Sequence, residues 1–235
     1  MRPIAIFRFS PSEGPGYFAE WLDAHAMAWQ LVALDEGGPF PGDARAFAGI
    51  AMMGGPMSVN DGLPWTPPLS VLIRDAVGAG VPVIGHCLGG QLLAQALGAA
   101  VTRTDVPEIG WLDVTVCDAA AQREWFGGRS AFTTFEWHND VFALPPGARR
   151  VLTNAFNGNQ GYVLDDRHIG FQCHVEMTRE LTETWLANGA DELPARTTPA
   201  LQCAPDILRD IDARIASLHG IADDVYARWS QGLAR

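Results

Sequence analysis

Short apolar runs alternate with amphipathic stretches over the first hundred residues. Ile4 to Phe9 is apolar apart from Arg8 and runs into Ser10-Pro11-Ser12-Glu13-Gly14-Pro15-Gly16, which predicts a buried strand and a surface turn. Phe18, Trp21, Leu22 and His25 then recur at helical spacing over Phe18 to Met27. Gln30 to Leu34 and Phe47 to Met53 are further strand candidates, the second stopped by Gly54-Gly55-Pro56. Pro68 to Val77 predicts a helix with Leu69, Leu72, Ile73 and Ala76 on one face. Val81 to Ile84 predicts a fourth strand, and Leu88 to Leu97 a helix buried through Leu92, Leu93, Ala96 and Leu97.

The pattern changes downstream. Trp111 to Val116 alternates, with Leu112, Val114 and Val116 on one side, and Ala131 to Trp137 does so more loosely. Tyr162 to Leu164 and Ile169 to Cys173 read as a hairpin-like pair with Asp165-Asp166 at the turn. Pro205 to Trp229 is helical and amphipathic, with an expected break near Gly220. Strands alternating with helices predict an α/β fold, a doubly wound, mostly parallel sheet with flanking helices. In such sheets ligands bind beyond the carboxyl ends of the strands. No repeat, low-complexity tract or linker divides the chain, so 1–235 is expected to be a single domain with 186–235 as a helical C-terminal extension.

Composition narrows the classes. Of the 235 residues 48% are hydrophobic and 18% charged, enough to bury a core. The formal net charge of -11 repels phosphate backbones, so no nucleic-acid partner is expected. No apolar stretch is long enough to span a bilayer, and the start has no secretory pattern, so no membrane partner is expected. Cys87, Cys117, Cys173 and Cys203 form no C-x-x-C pair and no disulfide framework. A reduced, cytoplasmic protein without a cofactor or metal is the expectation.

Chemistry enters at Val81-Pro82-Val83-Ile84-Gly85-His86-Cys87-Leu88-Gly89-Gly90-Gln91, where a strand runs through Gly-x-Cys-x-Gly into a helix. This is the cysteine form of a nucleophile elbow. Gly85 and Gly89 let strand and helix approach closely. The sulfur of Cys87 then sits at a helix N-terminus, which favours thiolate, and the Leu88 N–H is placed to stabilise an oxyanion. Against this stands the reading of Cys87 as a small buried residue. A second segment, Gly170-Phe171-Gln172-Cys173-His174-Val175-Glu176, places His174 and Glu176 two apart at a strand end, on one face. A cysteine nucleophile needs a base and the base an orienter, which makes Cys87, His174 and Glu176 the expected catalytic triad. Without the elbow, His174 would read as a satisfied core histidine and Glu176 as a helix-start carboxylate. The Gly54-Gly55-Pro56 loop can supply the other half of an oxyanion hole, or be an ordinary turn. A metal-hydrolase reading pairs His138 with Asp140 and His174 with Glu176, but finds no third and fourth ligand at known spacing.

These three segments, in this order and at these separations, resemble the class I glutamine amidotransferases, especially the amidotransferase domain of GMP synthetase. Family-like stretches also occur at Met57 to Asp61, Glu108 to Trp111, Trp137 to Asp140 and Asn159-Gln160, so the likeness covers roughly residues 1 to 185. The resemblance implies a flavodoxin-like core, with Cys87 as nucleophile, His174 as base and Glu176 as its partner. It implies Gly55 and Leu88 as oxyanion donors, and Gln91, Trp137, His138 and Asn139 as the lining of a glutamyl pocket. Two positions depart from the family pattern. Val175 stands where a proline is usual, and His86 where an apolar residue is usual; inert burial of His86 behind the sheet is expected, the alternative being an imidazole that changes thiolate stability or substrate choice. The stretch beyond the likeness is too short for a synthetase that would consume ammonia. The expected activity is therefore hydrolysis of glutamine or another γ-glutamyl amide or peptide through a thioester on Cys87. The alternative is a non-catalytic or partner-activated subunit that delivers ammonia to a separate synthetase.

Overall fold

A computed structural model describes residues 2–233. The first half lays down parallel strands as the apolar runs require. They are β1 (Ile4–Arg8), β2 (Trp29–Ala33), β3 (Gly49–Met52) and β4 (Val83–His86), joined by way of helices α1 (Gly16–Ala24) and α2 (Thr66–Gly78) and short 3-10 turns. Helix α3 (Leu88–Ala96) follows β4 directly. The second half adds β5 (Val101–Val116), α4 (Ala119–Glu124), β6 (Ala131–Phe142), β7 (Arg149–Thr153), β8 (Gly161–Leu164) and β9 (His168–Phe171). Helices α5 (Arg179–Asn188), α6 (Ala204–Leu208) and α7 (Ile211–Ser230) complete the chain.

All strands form one nine-stranded sheet in the order β2-β1-β3-β4-β9-β8-β7-β5-β6. Its core from β2 to β9 is parallel, and β9-β8-β7-β5-β6 is an antiparallel extension. This is the expected α/β sheet with flanking helices, parallel in its core. The period-two rule explains why β1 is apolar from Ile4 to Phe7: both its faces are covered. Ile4 and Ile6 join one hydrophobic cluster with Phe18, Trp21, Val225 and Trp229 from α1 and α7. Ala5 and Phe7 join the other with Leu69, Ile73, Leu92 and Leu93 from α2 and α3.

Several boundaries differ from the sequence expectation. β9 ends at Phe171, so His174 and Glu176 lie beyond the strand rather than on it; His174 is held by an isolated bridge to Phe135 of β6. The Asp165-Asp166 turn is as expected, with positive φ at both residues (54° and 50°), the conformation a tight hairpin needs. Helix α7 runs through Gly220 without a break. The interruption falls instead at Asp210, whose φ is 54°, between α6 and α7. A helix-interior glycine costs only about 1 kcal/mol, and the buried face of Leu218, Ile221, Ala222 and Val225 carries the helix across it. β5 begins ten residues before its alternating part, because Val101 to Arg103 pair with β6 ahead of a register shift between Arg103 and Glu108. Among the described residues, no helix is long and apolar enough to cross a membrane.

Candidate active site

The parallel strands β3 and β4 end side by side, and their carboxyl ends hold the first two parts of the site. Cys87 follows β4 with φ 49° and ψ -106°, a strained conformation for a residue with a Cβ, and it caps α3. The turn is possible because three glycines remove side chains where backbones nearly touch. A Cβ on Gly85 would lie 2.4 Å from the Gly89 carbonyl carbon; one on Gly89 would lie 2.2 Å from the Met52 oxygen, and one on Gly90 2.2 Å from the Phe171 oxygen. The Gly89 N–H donates to Met53 O at 3.1 Å, tying the elbow to the Met53-Gly54-Gly55 loop. Among the described residues, neither the Gly55 nor the Leu88 N–H donates to another group, which leaves both available to an anion.

The third part comes from beyond β9. His174 Nδ1 lies 2.6 Å from Glu176 Oε1, and both side chains are almost fully buried. The ring packs edge-on against Trp185 of α5, with centroids 4.7 Å apart. Among the described residues His174 Nε2 makes no hydrogen bond of standard geometry, but the imidazole is close enough to the Cys87 thiol to act on it as a charge and as a loose hydrogen-bond partner. Burial works against an imidazolium here, yet Glu176 and then Cys87 outweigh it and raise His174 well above its ordinary range. For Glu176, burial is likewise outweighed, by His86 and His174, and the carboxyl is held below its ordinary range. Burial pushes the Cys87 thiol up, and the charge of His174 pulls it back. Thiol, imidazole and carboxylate in this relation can carry out acyl transfer.

The site opens into a cavity of about 940 Å³ whose lining includes Cys87, His174, Gly55, Gln91, Trp137, His138 and Asn139. Gln91 Nε2 donates to Asp140 O at 3.0 Å and to Gln172 Oε1 at 3.3 Å, and the Gln172 amide reaches Cys87 Sγ at 3.6 Å. The Cys87 thiol also points at Trp137 O, 3.8 Å away. Ser58 donates to Asp140 Oδ2 at 2.6 Å, so the Met57 to Asp61 loop is fastened to the same wall.

A sequence profile of the family described as "Glutamine amidotransferase class-I" matches residues 32–193. The chain belongs to this family. A crystal structure of a glutamine amidotransferase from Methylobacillus flagellatus superposes with a TM-score of 0.97 at 48% identity, covering 100% of this chain and 96% of the other. The glutamine amidotransferase-like protein YfeJ of Salmonella typhimurium is 31% identical over 77% of this chain and 78% of its own length. The glutamine-hydrolysing GMP synthase of Aeropyrum pernix is 34% identical over 68% of this amidotransferase-like chain, which spans only 30% of that enzyme.

His138 does not pair with Asp140 as a metal reading of the sequence would have it. It lies with Glu108 and Glu136, its Nε2 3.2 Å from Glu136 Oε2 and 3.5 Å from Glu108 Oε1. All three are buried, and one ligand atom from each falls within 4.8 Å of the others, the spacing a metal would need. Glu108 already accepts from Asn154 and from Gln160 at 3.0 Å, whereas among the described residues neither Glu136 oxygen has a hydrogen-bond donor. Burial pushes Glu136 up to about 8 and His138 down to about 4; burial and then Glu136 push Glu108 up to about 7. These shifts favour the neutral form of each of the three groups.

His86 is fully buried, as expected, but it is not isolated. Its Nε2 lies 3.9 Å from Glu176 Oε2 and 3.4 Å from the Tyr226 hydroxyl of α7. Sequence reasoning missed Glu13, Arg103, Gln172 and Glu192. All but Gln172 line the cavity, and Gln172 braces Gln91 and Cys87 from behind. Gln172, two residues before His174, could have been found from its place in the triad segment. The others sit in loops or on a strand arm with no periodicity to mark them.

Proposed function

We propose that the protein hydrolyses glutamine or another γ-glutamyl amide or peptide through a γ-glutamyl thioester on Cys87. The observation that carries the reading is a cysteine at a strained strand-to-helix turn, beside a histidine whose other nitrogen is 2.6 Å from a buried carboxylate. Cys87 is the nucleophile, His174 the base and acid, and Glu176 the group that fixes the imidazole and stabilises its charged form. The thiolate attacks the γ-carbonyl carbon, and the oxyanion forms between the N–H groups of Gly55 and Leu88. The carbon–nitrogen bond breaks as His174 gives its proton to the leaving nitrogen. His174 then takes a proton from water, which attacks the thioester and releases glutamate and the thiol. Gln91, Trp137, His138 and Asn139 line the side of the cavity that would hold the glutamyl group.

A second reading is favoured by the match to part of a glutamine-hydrolysing GMP synthase. In it the protein releases ammonia to a synthetase, and the acceptor lies outside these 235 residues. Rapid quenching with intact-mass measurement over a range of γ-glutamyl donors tests both. A glutamyl adduct on the wild-type protein, missing in Cys87→Ala, is the expected result. Turnover retained by Cys87→Ala would remove Cys87 from the mechanism. Adduct formation only after cell extract is added would favour the partner-activated reading.

A further inference from the structure

One carboxylate in the cavity has no part in the triad. Glu13 lies in the loop between β1 and α1, and its side chain is held against the catalytic histidine. A Cβ built on Gly54 would meet Glu13 Oε2 at 2.4 Å and His174 Cε1 at 3.0 Å, so both groups rest on the same spot of backbone. The loop is fixed at several points. The Glu13 N–H donates to Ser10 O at 3.1 Å, and Trp185 Nε1 donates to Ser12 O at 2.9 Å. The Tyr17 N–H donates to Glu176 O at 2.9 Å. Gly16 has φ 48°, and a Cβ there would strike the Glu176 oxygen at 2.4 Å. The loop is thus bolted to the triad segment and to the helix that packs on His174. Such support from packed elements is what a positioned functional group requires.

Glu13 is also left without a partner. Its carboxylate makes no hydrogen bond or ion pair among the described residues, and the cation nearest in effect is His174 itself. Glu192, from the loop after α5, lies on the same cavity and adds a second negative charge close enough to act on Glu13; one of its oxygens accepts from Trp137 Nε1 at 3.2 Å. Burial, helped by Glu176 and Glu192, pushes Glu13 up to about 7 although His174 opposes the shift. A partly buried carboxylate without a partner is costly, and a cation arriving with the substrate would offset that cost.

The direction of acyl transfer says which part of the substrate meets Glu13. The oxyanion belongs with Gly55 and Leu88, and the leaving nitrogen must come to His174 to take its proton. Glu13 rests on Gly54 beside His174. We propose, resting on the thioester reading above, that Glu13 and Glu192 form a leaving-group subsite selecting γ-glutamyl amides whose departing amine carries a second, positively charged ammonium. The step itself is unchanged: the carbon–nitrogen bond breaks, His174 protonates the leaving nitrogen, and the distant ammonium keeps its charge against Glu13 throughout.

Two donors of matched length test this: γ-glutamyl-(2-aminoethyl)amide, which is cationic, and γ-glutamyl-propylamide, which is not. The expected kcat/KM ratio is at least tenfold in favour of the cationic donor at pH 8. Glu13→Gln should bring the ratio to near one, and Glu192→Gln should lower it in part. A wild-type ratio at or below one would overturn the proposal. So would a Glu13→Gln enzyme that slows both donors by one factor and keeps the ratio, since Glu13 would then act on His174 and not on the leaving group. Calorimetric binding of both donors to Cys87→Ala separates this from the thioester reading. Preferential binding of the cationic donor, lost in Cys87→Ala with Glu13→Gln, supports the subsite even if no turnover is found. Turnover with equal binding of the two donors sinks the subsite and leaves the thioester reading standing.

Discussion

His174 and His138 are both buried, both lie beside a buried glutamate, and they settle into opposite charge states. His174 and Glu176 share a direct contact of 2.6 Å, and each favours the charged form of the other. His138 lies 3.2 Å from Glu136, but burial holds the histidine down to about 4 and the glutamate up to about 8. The difference is in what else surrounds them. His174 has the Cys87 thiol beside it, a group that gains from a neighbouring positive charge. Among the described residues Glu136 has no hydrogen-bond donor for either oxygen, and a second carboxylate, Glu108, is close by. Residue type and burial alone do not set the charge of a pair; the remaining neighbours do. One pair is built as an ion pair beside the Cys87 thiol, the other as a nearly neutral cluster with His138 on the cavity wall.

On the proposed mechanism, the largest way to break the charged pair is to remove His174. His174→Ala should lower kcat/KM for the best γ-glutamyl donor by about 10³-fold or more, measured at neutral pH. A variant within tenfold of wild type would mean that the thiol is activated by another group. Glu176→Gln should cost less, on the order of 10²-fold, because an orienter fixes the imidazole while the base moves the proton. If the glutamine variant were as inactive as His174→Ala, Glu176 would carry more than orientation.

The neutral pair makes a prediction about stability. A carboxyl raised from its ordinary range to about 8 favours folding while it is protonated, so its contribution is lost as pH climbs toward 8. His138 works the other way, since a histidine lowered to about 4 loses its contribution only as pH falls toward 4. Glu136→Gln removes the first effect and relieves Glu108, which Glu136 helps to raise and which acts in the same direction. The variant should therefore gain on wild type between pH 5 and pH 8, by on the order of 2 kcal/mol in denaturant unfolding. An unchanged difference across that range would mean that a cation, rather than a proton, balances the cluster, and metal analysis of the purified protein would show it.

The smallest expected effect is at His86, which touches the charged pair from behind at 3.9 Å. His86→Phe should change kcat by less than about threefold, because the direct partner of His174 is Glu176 Oε1, not the oxygen that His86 approaches. A large loss of kcat with an intact fold would make His86 part of the relay.

Local physics made much of this legible in the sequence. Apolar runs of strand length, glycines around one cysteine, and a turn of two aspartates each act within a few residues of chain. They marked the parallel core, the elbow at Cys87 and the hairpin at Asp165-Asp166. The end of β9 at Phe171 was not legible, because His174 takes its position from a bridge to Phe135, far away in sequence. Nor was the continuity of α7 across Gly220, where packing outweighs a local preference. Glu13 reads in the sequence as one polar residue in a surface turn. Only the tertiary structure brings it to Gly54 and His174, because the contacts that hold its loop come from Glu176 and Trp185, more than a hundred residues away. The cluster of Glu108, Glu136 and His138 is of the same kind, since the pairing of β5 with β6 brings Glu108 opposite His138. The sequence alone determined which chemical groups the chain could offer and where its turns had to be. The tertiary structure decided which of those groups meet, and through burial and neighbouring charge, which of them hold a proton.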